Sequence, residues 1–243
     1  MRHNAGMVEG LTARRVGMLA PMHPELEPIV RKLGLEDERD GEQFRGRAGN
    51  VEVVAMLTTM GMAAGADAAR RMLTLDVDLV MVIGIAGGVS QSSVKIGDVI
   101  MPEVVIERFT GRTLRPSWCH DHTPHGHLSC GDDLILDQAV LDGMHDLGVI
   151  AVDMETAAVA AVCEDAGVPW DVFRSISDYA GEGLVDQELF AMTNPDGTAD
   201  IEAITRYLEA NPDRIDVLTR LAHDSNLATE AASDAAIRAC LTL

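Results

Sequence analysis

The chain has 243 residues, enough to bury a full core in one α/β domain, and 47% of them are hydrophobic, so a disordered chain is excluded. Aromatic residues make up only 3%, which leaves Val, Leu, Ile, Met and Ala to fill the core, as in a sheet buried under helices. A net charge of −20 argues against nucleic acid and against an anionic membrane surface, since both need clustered Lys and Arg. Acidity of this kind serves solubility. Cys119, Cys130, Cys163 and Cys240 follow no disulfide framework. No apolar run reaches transmembrane length, and the N-terminus lacks the central segment of a secretory signal. Residues 1–14 read as a flexible extension in which Met7 offers a second start, residues 15–243 as one domain, and the setting as cytoplasmic.

Apolar runs of strand length alternate with helical stretches, which predicts a mixed, largely parallel twisted sheet flanked by helices. The first strand is Arg15–Ala20, and after a Pro-rich turn a helix opens at Glu25 and ends before Gly34. Strands 42–47 and 51–57 form a hairpin across Ala48, Gly49 and Asn50. An Ala-rich helix spans 64–73, and the unbroken apolar run 78–84 is a fully buried strand. Another strand covers 98–107, with Pro102 marking a bend or bulge. Residues 110–129 are polar and rich in Arg and His, and read as a rim loop. A helix at 136–147, a strand at 149–152 and a helix at 154–166 follow, the last stopped by Gly167 and Pro169. Strand 171–175 precedes a helical C-terminus: 200–210, a helix capped by Asn211 with Pro212 first, and 225–241.

Ligands of open α/β sheets bind at the carboxyl ends of the strands. Four such ends here carry polar or Gly-rich sequence: 22–25, 84–88, 152–155 and 174–178. Asp153 and Glu155 stand at a strand-to-helix junction, where acids are favoured by the helix N-terminus whether or not they act on a ligand. Glu25 has the same ordinary reading as a first-turn acid, and Asp178 as a cap. Arg174, Ser175, Ser177 and Asp178 crowd four polar groups onto the end of a buried strand, where such groups must be hydrogen-bonded or functional. The Gly84–Gly88 segment lacks the G-x-G-x-x-G spacing, so no dinucleotide cofactor is expected; its small residues let a flat ring approach the backbone.

The segments V-D-M-E-T-A-A-V-A at 152–160 and R-S-I-S-D at 174–178, with G-I-A-G-G at 84–88, K-I-G-D-V at 95–99 and G-M-L-A-P-M-x-x-E at 17–25, resemble the nucleoside phosphorylase/nucleosidase superfamily. In pattern they are most similar to the 5′-methylthioadenosine/S-adenosylhomocysteine nucleosidases. The resemblance covers residues 15–180 and, more loosely, the C-terminal helices. It implies hydrolysis of the N-glycosidic bond of a purine nucleoside without a cofactor, in a homodimer or larger homo-oligomer. Glu155 would then hold the ribose hydroxyls, with Met154 against the sugar and Asp153 and Ser177 in the same site. Asp178 would protonate the base at N7, and Glu25, helped by Arg174, would activate water. Ile85, Ala86 and Gly87 would lie near base and sugar, and Leu134 and Ile135 would contact the base. Loss of a purine builds positive charge on the sugar and negative charge on the base, which such groups stabilise.

Phosphorolysis needs a basic anion site in the first strand-to-helix loop and at the third strand end. Residues 20–25 and 83–88 contain neither Arg nor Lys, so water is the expected nucleophile. Two departures from the family pattern stand out. Ile85 occupies a position where the nucleosidases carry Ser, a feature shared with the futalosine hydrolase branch. The connection at 108–128, which helps shape the pocket for the 5′ substituent, is short. It also carries Cys119, His120, Asp121, His122, His125 and His127, with Cys130 just beyond. Such side chains suit zinc, but their spacing is loose and the family implies no metal, so the expectation is no metal and one pocket-lining histidine. A phosphate-dependent phosphorylase, a futalosine-type hydrolase and a non-catalytic nucleoside-binding protein remain the alternative readings.

Overall fold

The computed structural model describes residues 13–117, 123–182, 191–194 and 198–243. The apolar run after Asp78 becomes the middle of the sheet: β5 spans Leu79–Gly88 and is longer than expected, because its glycines continue the extended backbone. Val80 and Val82 point to one face and Leu79, Met81 and Ile83 to the other, the period-2 alternation of a strand covered on both sides. β1 (Arg15–Ala20) pairs with β5 in parallel, and β4 (Val51–Leu57) pairs with β1 in parallel. β3 (Gln43–Ala48) closes the expected hairpin on β4, and a short β2 (Glu36–Asp37), not anticipated, extends that edge.

The strand expected over 98–107 is two strands, β6 (Val99–Ile100) and β7 (Val104–Glu107), because Pro102 removes a ladder donor between them. The expected rim loop at 110–129 contains β8 (Thr113–Leu114) and most of β9 (His127–Cys130). Leu114 and Leu128 are buried there, and backbone pairing to β7 overrides the polar composition. β10 (Val149–Asp153) runs parallel to β9 and antiparallel to the end of β5. β11 (Trp170–Tyr179) runs parallel to β5 for its whole length, so Asp178 lies within the strand and not after it. Among the described residues eleven strands make one mixed sheet.

Helices cover both faces. α1 (His23–Leu33) packs on one face together with the second half of the C-terminal helix, through Leu26, Ile29, Ala232, Ala235, Ala236 and Ala239. α2 (Met62–Leu73) and α4 (Thr156–Ala166) cover the other with Ala68, Ala69, Met72, Val159, Ala160 and Cys163. Small residues on those helices let them sit close to the sheet, so a core poor in aromatics still closes. α3 (Gln138–Asp146) caps a smaller cluster with Leu141. After α5 (Ile201–Ala210), the two helices expected at 212 and 225 are a 3-10 turn, Pro212–Arg214, and one continuous α6 (Ile215–Cys240). No Pro or Gly interrupts that 26-residue run, so the helix does not break.

Ala13 is buried and the Arg14 N–H donates to Asp78, while residues 1–12 of the expected extension lie outside the described residues, as do Cys119, His120, Asp121 and His122. Among the described residues no helix is long and apolar enough to cross a membrane.

Candidate active site

The site begins where the sheet changes partners. β1 leaves β5 after Leu19 pairs with Val82, and β10 joins it only at Gly87. Between these points the Ile85 N–H has no strand to donate to on that side, and Glu25 takes it. Glu25 Oε1 accepts from Ile85 N at 2.7 Å, and Oε2 accepts from Met22 N at 2.8 Å, the reciprocal half of a helix capping box. The ordinary reading of Glu25 as a helix-start acid and its reading as a site residue are therefore both true. Gly84 makes the approach possible: its φ is +150°, and a Cβ there would stand 2.2 Å from Glu25 Oε1 and 2.6 Å from Arg174 Nη1.

Arg174 rises from β11 into the same gap and is 1% exposed. Its Nε donates to Asp153 Oδ2 at 2.9 Å, Nη2 lies 2.7 Å from the same oxygen as an ion pair, and Nη2 donates to Glu155 Oε2 at 3.0 Å. Its Nη1 stands 3.7 Å from Glu25 Oε1. Glu155 Oε1 accepts from the Gly61 N–H at 2.8 Å, where a turn with φ of +104° at Gly61 aims the donor inward. Asp153 Oδ2 also accepts from the Thr156 hydroxyl, and its Oδ1 is buried without a hydrogen-bond partner. Asp153 thus touches the cavity but is committed to holding Arg174.

Three carboxylates around one guanidinium leave an excess of negative charge in a dry place. Burial pushes Glu25 up to about 8, with Arg174 acting in the opposite direction. Burial likewise raises Glu155 to about 7, again opposed by Arg174 and reinforced by Asp153. Arg174 itself is held more firmly protonated by Asp153, Glu155 and Glu25, against its own burial.

At the far end, β11 bulges against β5 between Ile176 and Asp178, so Asp178 faces Gly87. A Cβ on Gly87 would be 3.8 Å from Asp178 Oδ2. Ser177, buried, donates its hydroxyl to Asp178 Oδ1 at 2.6 Å. Burial raises the Asp178 carboxyl, the Ser177 hydrogen bond lowers it, and Glu182 raises it further. The net direction is upward, toward a carboxyl that holds its proton more firmly than a free one.

A cavity of about 280 Å³ connects the two ends. All twelve candidate residues line it: Glu25, Ile85, Ala86, Gly87, Leu134, Ile135, Asp153, Met154, Glu155, Arg174, Ser177 and Asp178. Sequence reading missed Arg108, Met60, Tyr179, Thr193, Leu221 and Ser225, which also line the wall. Arg108 follows a strand end, a position that was legible, whereas Leu221 and Ser225 come from a helix whose inner face only the fold reveals. Among the described residues no histidine lines the cavity, and His127 Nδ1 is 3.1 Å from the Leu147 carbonyl instead. No group of three His, Cys, Asp or Glu among the described residues is arranged to hold a metal.

Comparison with known proteins places this arrangement. The 5′-methylthioadenosine/S-adenosylhomocysteine nucleosidase of Exiguobacterium sp. is 26% identical over 231 residues, 80% of this chain and 99% of that protein. The aminodeoxyfutalosine nucleosidase of Helicobacter pylori is 26% identical over 202 residues, 70% of this chain and 87% of that protein. The solved nucleosidase of Colwellia psychrerythraea in complex with adenine superposes with a TM-score of 0.70 at 20% identity, covering 94% of this chain and 95% of that one. The Helicobacter pylori futalosine hydrolase gives 0.68 at 19% identity, covering 94% and 97%. The sequence profile of the phosphorylase superfamily matches residues 15–129 and 121–210. On that match, spanning most of the sheet and both ends of the cavity, the chain belongs to the phosphorylase superfamily.

Proposed function

We propose that the chain hydrolyses the N-glycosidic bond of a purine nucleoside carrying a modified 5′ position, of the kind named by its nucleosidase relatives, and releases the free base. The observation that carries this reading is the pairing across one cavity of an Arg174-bound carboxylate cluster with a buried Asp178 hydrogen-bonded to Ser177, whose pKa burial raises. Glu155 receives the ribose hydroxyls and Met154 lies against the sugar. Ala86 and Gly87 let the ring approach the backbone, and Leu134 and Ile135 flank the base. As the C1′–N9 bond breaks, Asp178 gives its proton to N7 and the base leaves neutral. Water attacks C1′ and loses a proton to Glu25, whose pKa of about 8 matches that task near neutral pH. The carboxylates around Arg174 stabilise the positive charge that develops on the sugar.

Water fits this site better than phosphate. Arg174 is the cation near Glu25, and three carboxylates already surround it, so an added dianion meets net repulsion. The test is a panel of purine nucleosides with and without phosphate, followed by release of base and sugar. Free ribose products independent of phosphate support hydrolysis. Phosphate-dependent release of a sugar 1-phosphate overturns it, and tight purine binding without turnover favours a binding protein.

We infer a cytoplasmic setting from the buried free thiols Cys130, Cys163 and Cys240, which suit a reducing compartment. A homodimer is supported by exposed Phe109, Leu136 and Val140, of which Leu136 lines the cavity, and sedimentation at twice the chain mass tests it.

A further inference from the structure

Of the two cations that line the cavity among the described residues, Arg174 is enclosed by carboxylates and Arg108 is not. Arg108 follows the last residue of β7, and its N–H donates to the Cys130 carbonyl at 2.9 Å. Its side chain is 15% exposed and anchored through a single nitrogen: Nη2 donates to the Asp133 carbonyl at 2.9 Å and to Asp133 Oδ1 at 2.6 Å. Nε and Nη1 make no hydrogen bond among the described residues. Gly131 clears the space, since a Cβ there would lie 2.9–3.2 Å from Nη2, Cζ and Nε. The guanidinium is therefore seated in one orientation with donors to spare.

Its place along the cavity follows from its neighbours. Ile135 packs with Val152 and Ala180, on the Asp178 side. Two residues earlier Asp133 binds Arg108, and one before that Asp132 Oδ1 accepts from Met62 N at 2.7 Å, beside the Gly61 turn that donates to Glu155. Arg108 is thus linked through the 132–133 segment to the turn that serves Glu155. With the sugar on Glu155, what extends toward Arg108 is the substituent at the 5′ position.

We infer that Arg108 recognises a carboxylate at the end of the substrate's 5′ substituent, so that this chain selects nucleosides whose tail ends in a carboxylate over those ending in a small apolar group. A planar guanidinium with free N–H groups matches a carboxylate in charge and geometry. Asp133, 61% exposed at its side chain, balances Arg108 while the subsite is empty and is screened by solvent when a ligand arrives. The inference rests on the purine nucleosidase reading and narrows its substrate class.

The experiment compares S-adenosylhomocysteine, whose tail ends in a carboxylate, with 5′-methylthioadenosine, whose tail does not. The ratio of kcat/KM for the first over the second is expected to fall about 10- to 100-fold in Arg108→Gln and to be partly retained in Arg108→Lys. A ratio within twofold of wild type in both variants overturns the inference. Should Arg108→Gln fail to fold, the wild-type protein is assayed with the methyl ester of S-adenosylhomocysteine. A comparable drop supports the carboxylate contact, and equal turnover of acid and ester overturns it. If neither nucleoside is cleaved, the hydrolase reading fails, and equilibrium binding of the same pair decides: an Arg108-dependent preference for the acid supports the subsite, and no preference removes it.

Discussion

At the Glu25 end of the cavity three carboxylates share one guanidinium, whereas at the other end Asp178 has a serine hydroxyl and, among the described residues, no cation. Burial pushes the pKa upward at both ends, but only the first has Arg174 to resist it. On the proposed reading, the first end stabilises positive charge and the second delivers a proton. Arg174 tempers burial without cancelling it, since Glu25 still stands at about 8 and Glu155 at about 7 beside it.

The contrast fails most visibly if Asp178→Asn stays active. The expected outcome is a loss in kcat of about 10²- to 10⁴-fold with KM little changed, read from steady-state release of base. Arg174→Met tests the opposite end, since it strands buried carboxylates without their cation. Urea unfolding should show a loss of about 3–5 kcal/mol, and a near-wild-type midpoint would mean that the cluster is neutral as it stands. Gly84→Ala is the subtler probe, because its Cβ lands 2.2 Å from Glu25 and 2.6 Å from Arg174. A loss of about 1–3 kcal/mol is expected together with reduced turnover, while full activity would show that the two side chains can part freely.

The smallest effect is in pH. The folded pKa values of Glu25 and Glu155 lie above the ordinary carboxylate range, near 8 and 7. Their stabilising contribution is complete below that ordinary range and is lost as pH rises through the folded values. The melting temperature should therefore fall between pH 5 and pH 9, and Glu25→Gln should flatten the upper part of that decline. A parallel slope in the variant would show that Glu25 does not titrate in that window. Over the same range kcat/KM should rise as Glu25 ionises.

Much of this was legible in the residues themselves. The runs at 15–20, 51–57 and 78–84 declare strands, and acidic and basic groups at strand ends fall on one cavity. What stayed hidden depends on long-range pairing. β9 carries polar residues that only its ladder to β7 and β10 turns into a strand. The commitment of Asp153 to Arg174 instead of to substrate depends on two strands meeting side by side, which no spacing along the chain reveals. The family resemblance supplied roles for Glu155 and Asp178, and the geometry explains why those types of side chain suit them.

The bulge in β11 has a mechanical consequence. Arg174 and Asp178 belong to opposite ends of the cavity yet ride on the same strand, four residues apart and locked in register to β5. A nearly inextensible backbone fixes their separation like the jaws of a gauge. Sliding the strand would carry both jaws together, and no local rearrangement can widen one setting alone. Drift toward new substrates is then confined to the parts outside the gauge, Arg108 and Asp133 at the rim and Leu221 and Ser225 on the helical cover, while the span that fits one glycosidic bond is conserved by the covalent chain itself.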